Sequence, residues 1–158
     1  MKKIIVMSDT HGLKNAVQYI KNTYTDADLL IHCGDICLPK DYAKDLFIVC
    51  GNCDDPSLYE SVRIYETEGH RILVTHGHMF FDSIFVNYNA LARFARRNEC
   101  DIVCYGHSHI YDDRIVDGVR LLNPGSMNAN RDMSNPSYMI LTIDGDLVTT
   151  ERKDYFGL

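Results

Sequence analysis

The stretch Lys2-Lys3-Ile4-Ile5-Val6-Met7-Ser8-Asp9-Thr10-His11-Gly12 passes in one step from an unbroken apolar run to polar side chains able to bind metal. From Lys3 to Met7 there is no polar alternation, the pattern of a strand covered on both faces, as parallel strands are. The run is short and polar residues interrupt it at once, so a first β-strand is expected rather than a secretory signal. Leu13, Ala16, Val17, Ile20 and Tyr24 then fall at i, i+3, i+4, i+7 and i+11, one face of an amphipathic helix. Residues 28–32 read as a second strand and 46–50 as a third, with a short helix between them after Pro39. A β-α-β opening predicts parallel pairing with a right-handed crossover.

The rhythm then changes. Residues 62–66 and 71–75 read as strands joined by a turn at 68–70, which would leave His70 facing solvent. Phe85, Tyr88, Leu91, Ala92 and Ala95 mark a second helix, and residues 101–105 a further strand. Residues 110–116 and 119–122 form a hairpin about Asp117-Gly118; residues 138–143 and 146–151 form another about Asp144-Gly145. Parallel units in the first half and Asp-Gly hairpins in the second predict an α/β fold with two packed mixed β-sheets. No linker, repeat or low-complexity tract divides the chain, and one domain over residues 1–158 is expected.

A formal charge of −6 argues against a protein that tracks long nucleic acid by neutralising its phosphates. It leaves phosphate chemistry open, because bound cations can supply positive charge locally. Nothing approaches the ~18 consecutive apolar residues of a spanning helix, so no membrane partner is expected. Six cysteines without a secretion signal point to free thiols in a reducing compartment, with the cytoplasm as the expected location.

The chemistry-bearing residues cluster just past the ends of the expected strands. These are Asp9 and His11, then Gly34-Asp35, Gly51-Asn52, His76 and His78 in Thr75-His76-Gly77-His78, and His107 and His109 in Gly106-His107-Ser108-His109. In open α/β sheets the carboxyl edge of the strands is where ligands bind. Carboxylate and amide oxygens combined with imidazoles suit divalent ions such as Mn²⁺, Fe²⁺, Co²⁺, Ni²⁺ or Zn²⁺. Asp9 with His11, and His107 with His109, are two residues apart, so each pair projects the same way from an extended strand end. Glycines stand beside most of these residues and are expected to permit tight or left-handed turns.

In this order and spacing, D-x-H, G-D, G-N-x-D, T-H-G-H and G-H-x-H resemble the calcineurin-like metallophosphoesterases, most closely their small prokaryotic phosphodiesterase branch. The resemblance runs from Asp9 to the Asn123-Pro124-Gly125-Ser126 segment. It implies a four-layer α/β/β/α sandwich and two divalent metal ions, with manganese first in order and Ni, Fe, Co or Zn as alternatives. Asp9, His11, Asp35 and His109 would hold one ion; Asp35, Asn52, His76 and His107 would hold the other, with Asp35 as the bridge. Asp35, Asn52, His76 and His78 would carry the catalysis, through a metal-bridging hydroxide that attacks phosphorus in line. The substrate would be a small phosphodiester, and assembly into a homo-oligomer is consistent with the branch. Larger members carry His after the metal-binding Asn as leaving-group acid; here that position is Cys53, which disfavours leaving groups needing protonation. Asp54 would orient the neighbouring site residues.

Competing readings attach to single residues. Asp9 could cap a helix, and His78 could contact substrate phosphate, complete a metal shell or only line the site. His32 is expected in the core or behind the ligands. The pairs Cys33/Cys37, Cys50/Cys53 and Cys100/Cys104 invite a zinc or redox reading, but Cys33, Cys50 and Cys104 sit at strand ends where cysteine packs as a small hydrophobe. The rival to an enzyme is a silent scaffold: a eukaryotic trafficking subunit shares the implied fold but has lost key site histidines, all of which this chain keeps.

Overall fold

Alternation within the first strand decides the layering. The computed structural model describes residues 1–157. In β1 (Lys2–Met7), Ile5 and Met7 turn one way and pack on Ala16, Val17 and Ile20 of α1 (Lys14–Thr23). Ile4 and Val6 turn the other way and meet Ile72, Val74, Ile102 and Cys104 of a second sheet. Leu73, Val103 and Leu121 leave that second sheet on its far side and pack on Leu91, Ala92 and Ala95 of α2 (Tyr88–Arg97). Each fully buried aliphatic side chain contributes about 1.5–3 kcal/mol, so three apolar interfaces fix the order α1, sheet, sheet, α2. This is the four-layer sandwich expected above.

The first sheet adds β2 (Leu29–His32), β3 (Phe47–Ile48), β11 (Ser137–Asp144) and β12 (Leu147–Asp154), in the order β12-β11-β1-β2-β3. Here β1, β2 and β3 run parallel, while β11 lies antiparallel to β1 and β12 antiparallel to β11. The second sheet contains β4 (Val62–Thr67), β5 (His70–Thr75), β8 (Ile102–Cys104), β9 (Tyr111–Val116) and β10 (Val119–Pro124), in the order β4-β5-β8-β10-β9. Its central strands β5, β8 and β10 are parallel, with antiparallel edges. A two-stranded ribbon of β6 (Phe81–Asp82) and β7 (Phe85–Val86) precedes α2. No helix among the described residues is long and apolar enough to cross a membrane.

Three expectations need correction. The third strand has two residues rather than five, because the Cys50 amide leaves the ladder to donate to the Glu60 carbonyl at 2.8 Å. Phe85 lies in β7, not α2, and is 71% exposed; its match to the helical period is coincidental. His70 does not face water: its Nδ1 is 2.6 Å from Asp101 Oδ2 and its Nε2 is 2.7 Å from the carbonyl oxygen of Gly145. Gly145 belongs to the β11–β12 turn of the first sheet, so His70 ties the two sheets together.

Candidate metal centre

The parallel strands of both sheets end along one edge, and the loops leaving them are stitched together by backbone bonds. The Asp9 amide donates to the Gly34 carbonyl at 3.0 Å, the His11 amide to the Asp35 carbonyl at 3.0 Å, and the Gly106 amide to the His76 carbonyl at 3.1 Å. Residues 98 positions apart thereby come into contact: His11 Nε2 lies 3.3 Å from His109 Nε2.

The donors form overlapping groups. Asp9, His11 and His109 offer ligand atoms within 4.8 Å of one another, and so do Asp35, His76 and His107. Asp35 stands between the two: its Oδ2 is 3.2 Å from His76 Nε2 and 3.6 Å from His11 Nε2. Asn52 Oδ1 lies 3.1 Å from His107 Nδ1, which in turn lies 3.3 Å from His76 Nε2. All seven residues named as ligands from sequence are thus brought to one place. A third group of His11, Asp35 and Cys53 puts the Cys53 thiol at the rim of the same cluster.

Local backbone conformation aims these side chains. Asp9, His11, Asp35, His107 and His109 all adopt left-handed φ between 45° and 71°. That conformation costs roughly 1–2 kcal/mol at a non-glycine residue, and five instances at one edge are strain held by the stitched loops. Two glycines serve space rather than a left-handed turn, which corrects the reason expected for them. A Cβ on Gly51 would overlap the Asp35 carboxylate and amide nitrogen, and one on Gly106 would overlap Ser8 Oγ and lie 2.7 Å from Asp9 Oδ2.

The charges are mutually adjusted. Burial pushes the Asp9 carboxyl up, but His109, His11 and His76 outweigh it and hold the group well below the usual carboxylate range. Burial also opposes ionisation of Asp35, which His76 and the Cys53 amide overcome, leaving its pKa lowered. His11 is raised by the neighbouring Asp9 carboxylate, and His76 is raised by Asp35 against a larger opposing burial. Burial and the neighbouring His76 push His107 down to about 4.

Sequence reading missed part of the scaffold behind the donors. Ser8 Oγ donates to Asp9 Oδ2 at 2.6 Å, and Ser126 Oγ donates to the Asp9 carbonyl at 2.7 Å. Asn123 Nδ2 donates to Ser108 Oγ at 2.9 Å and to the Gly106 carbonyl at 3.2 Å. The available signal was the Asn-Pro-Gly-Ser run at the end of a third parallel strand, β10. Asp54 behaves as expected, accepting from the amides of Asp35 (2.8 Å), Gly51 (2.9 Å) and Cys37 (3.0 Å). His32 is fully buried behind the ligands, its Nε2 3.0 Å from Thr10 Oγ1. His78 packs 5.6 Å from the His76 ring, and its buried Nδ1 has no hydrogen-bond partner. All six cysteines are free; Cys33, Cys50, Cys100 and Cys104 are buried, while Cys37 and Cys53 are exposed.

A metal fits this donor set. Asp9 Oδ1 is buried with no hydrogen-bond partner, yet lies 3.2, 3.6 and 3.8 Å from ring nitrogens of His109, His11 and His76. Imidazole nitrogens facing one another around an unsatisfied carboxylate oxygen are what ligands of a shared cation look like. The two-sheet frame and this edge define the class of metal-binding phosphoesterases. Residues 1–146 match the family model for the calcineurin-like phosphoesterase superfamily domain, and the chain belongs to that superfamily. The probable metallophosphoesterase YsnB of Bacillus subtilis is 33% identical over 159 residues, covering 98% of this chain and 92% of its own. Among solved structures, a predicted phosphoesterase from Streptococcus pneumoniae superposes with a TM-score of 0.88 at 29% identity, over 97% of this chain and 89% of that one. An archaeal phosphodiesterase (TM-score 0.69, 22% identity, 96% and 99% coverage) shares the fold. So does zinc-complexed Vps29 from Entamoeba histolytica (TM-score 0.78, 22% identity, 96% and 98% coverage).

Proposed function

We propose that the protein is a metal-dependent phosphodiesterase that hydrolyses small phosphodiesters with two divalent ions at the strand edge. The observation that carries this reading is the position of Asp35, one carboxylate shared between the His11 side and the His76 side of the cluster. Asp9, His11, Asp35 and His109 would hold one ion, and Asp35, Asn52, His76 and His107 the other. Bound there, divalent cations supply Lewis acidity toward phosphoryl oxygen and lower the pKa of coordinated water.

The chain's own groups do the rest. Asp54 fixes the Asp35 and Gly51 amides, so the bridging carboxylate and Asn52 keep their aim. Ser8 and the His107 amide (3.0 Å) both donate to Asp9 Oδ2, leaving Oδ1 free for a cation. His78, whose ring lies 5.6 Å from that of His76 and 6.1 Å from that of His107, would meet a substrate oxygen beside them. The fold shared with Vps29 keeps a silent scaffold as the rival reading, and the retained donors favour the enzyme. Asp35→Asn tested beside the parent with bis(4-nitrophenyl) phosphate and Mn²⁺ separates them. The expected result is EDTA-sensitive hydrolysis in the parent, reduced by at least about a hundredfold in the variant. No hydrolysis by the Mn²⁺-loaded parent would favour the scaffold, and hydrolysis unaffected by EDTA and by the substitution would refute the metal-dependent reading.

A further inference from the structure

A groove of about 360 Å³ opens beside the candidate metal centre. The two share a wall. Ser108, which stands between His107 and His109 in the chain, lines the groove, and so does Phe81, whose ring meets the His107 imidazole edge-on at 4.8 Å. The outer wall is the β6–β7 ribbon, where Ile84 and Phe85 are 68% and 71% exposed, and Ile110 lies opposite. Burying neither side chain in the core leaves apolar area in water that a ligand would cover.

Two cations complete the groove in a protein of net charge −6. Arg114 lies over the Tyr88 ring at 3.8 Å and is held by Asp112 through a 2.6 Å bond, forming a flat stacked platform. Arg131 is fastened to the loop that carries His107 and His109, its Nη1 donating to the His107 carbonyl at 3.2 Å. Guanidinium planes and aromatic rings receive planar aromatic groups, and the volume suits a ring with its attached ester rather than a macromolecule.

We propose that this groove is the subsite for an aromatic ester group of the phosphodiester, an aryl ring or a nucleobase, whose phosphorus sits at the metal centre. The inference rests on the phosphodiesterase reading above. Ile84 and Phe85 then set substrate preference without touching the reacting atoms.

Calorimetric titration of phenylphosphonate and methylphosphonate into the Mn²⁺-loaded chain tests this, on the parent and on the double substitution Ile84→Ser/Phe85→Ser. The parent is expected to bind phenylphosphonate about tenfold more tightly than methylphosphonate. The double substitution should bring that ratio to about one while methylphosphonate affinity, which reports an intact centre, stays unchanged. Adenosine 5′-monophosphate distinguishes the sources: tighter binding than phenylphosphonate identifies a nucleobase, weaker binding an aryl group, and in both cases the double substitution must remove the advantage. A ratio that survives the substitution overturns the subsite and leaves the phosphodiesterase reading standing. Failure of both phosphonates to bind the loaded parent overturns that reading and the subsite with it. Sedimentation velocity on the same samples covers the other occupant: a dimer dissolved by the substitution, with the phosphonate ratio intact, assigns the patch to a second copy and overturns the proposal.

Discussion

Cys53 stands where, as the family resemblance implies, larger members carry the imidazole proposed to protonate the leaving group. Its amide donates to Asp35 Oδ1 at 2.8 Å, so the backbone at this position supports the cluster whatever the side chain. Burial and the Asp35 charge raise the thiol pKa, which makes it a poor proton donor near neutrality. Cys53→His should therefore raise kcat/KM for alkyl-leaving phosphodiesters by roughly tenfold to a hundredfold. For 4-nitrophenyl esters, whose leaving anion needs no proton, the gain should stay within about twofold. Equal gains for both, from parallel kinetics, would count against the acid role of this position. At this scale most of the site was readable, because Asp9 and His11, which meet in one donor group, sit together in the chain; His107 and His109, expected to project together from an extended strand end, fall in different groups on left-handed backbone. The left-handed φ of Asp9, His11, Asp35, His107 and His109 was not readable, since nothing local distinguishes a ligand Asp from a helix-capping one.

Among the elements, β5 carries the clearest misreading. His70 begins that strand, and its partners lie 31 and 75 residues away in sequence, beyond any local pattern. Burial opposes its charge, but Asp101 and the Gly145 carbonyl prevail and raise its pKa above 6.5. The sign follows directly: a raised histidine stabilises the fold fully below its unfolded pKa, and that contribution is lost as pH rises through the folded value. Urea unfolding should show His70→Asn losing about 1–2 kcal/mol relative to the parent at pH 6, and a smaller loss at pH 9. A loss at pH 9 as large as that at pH 6 would mean that His70 acts through packing and not charge. The parallel strands were legible because both faces are covered and their apolar runs are unbroken. β3 was overread, since an apolar run does not reveal where Cys50 leaves the ladder for Glu60.

Across the whole molecule, the two sheets bury their shared interface around Ile4, Val6, Ile72 and Val74, and the site lies along the edge where both sheets end. Loops from both sheets supply donors to one cluster, so cations bound there bind the folded chain and not the unfolded one. At a metal concentration a hundredfold above Kd, the stabilisation is about 2.7 kcal/mol per ion, which for two ions in a chain of this size raises Tm by roughly 10–20 °C. Differential scanning fluorimetry with Mn²⁺ and then excess EDTA should show that rise and its reversal; a Tm indifferent to both would place the donors out of metal reach. Two packed mixed sheets were readable from the parallel units and the Asp-Gly hairpin turns, while the α/β/β/α order came with the family resemblance. The groove beside the centre was not readable, because its outer wall is the β6–β7 ribbon, in which Phe85 matches the period of the helix that follows.

Two divalent ions at the shared edge are proposed to carry phosphodiester hydrolysis. The most direct measurement is hydrolysis of bis(4-nitrophenyl) phosphate by EDTA-stripped protein titrated with Mn²⁺. No turnover is expected in the stripped chain, and activity should saturate at two equivalents. Full activity without added metal, or saturation at one equivalent, would contradict that proposal.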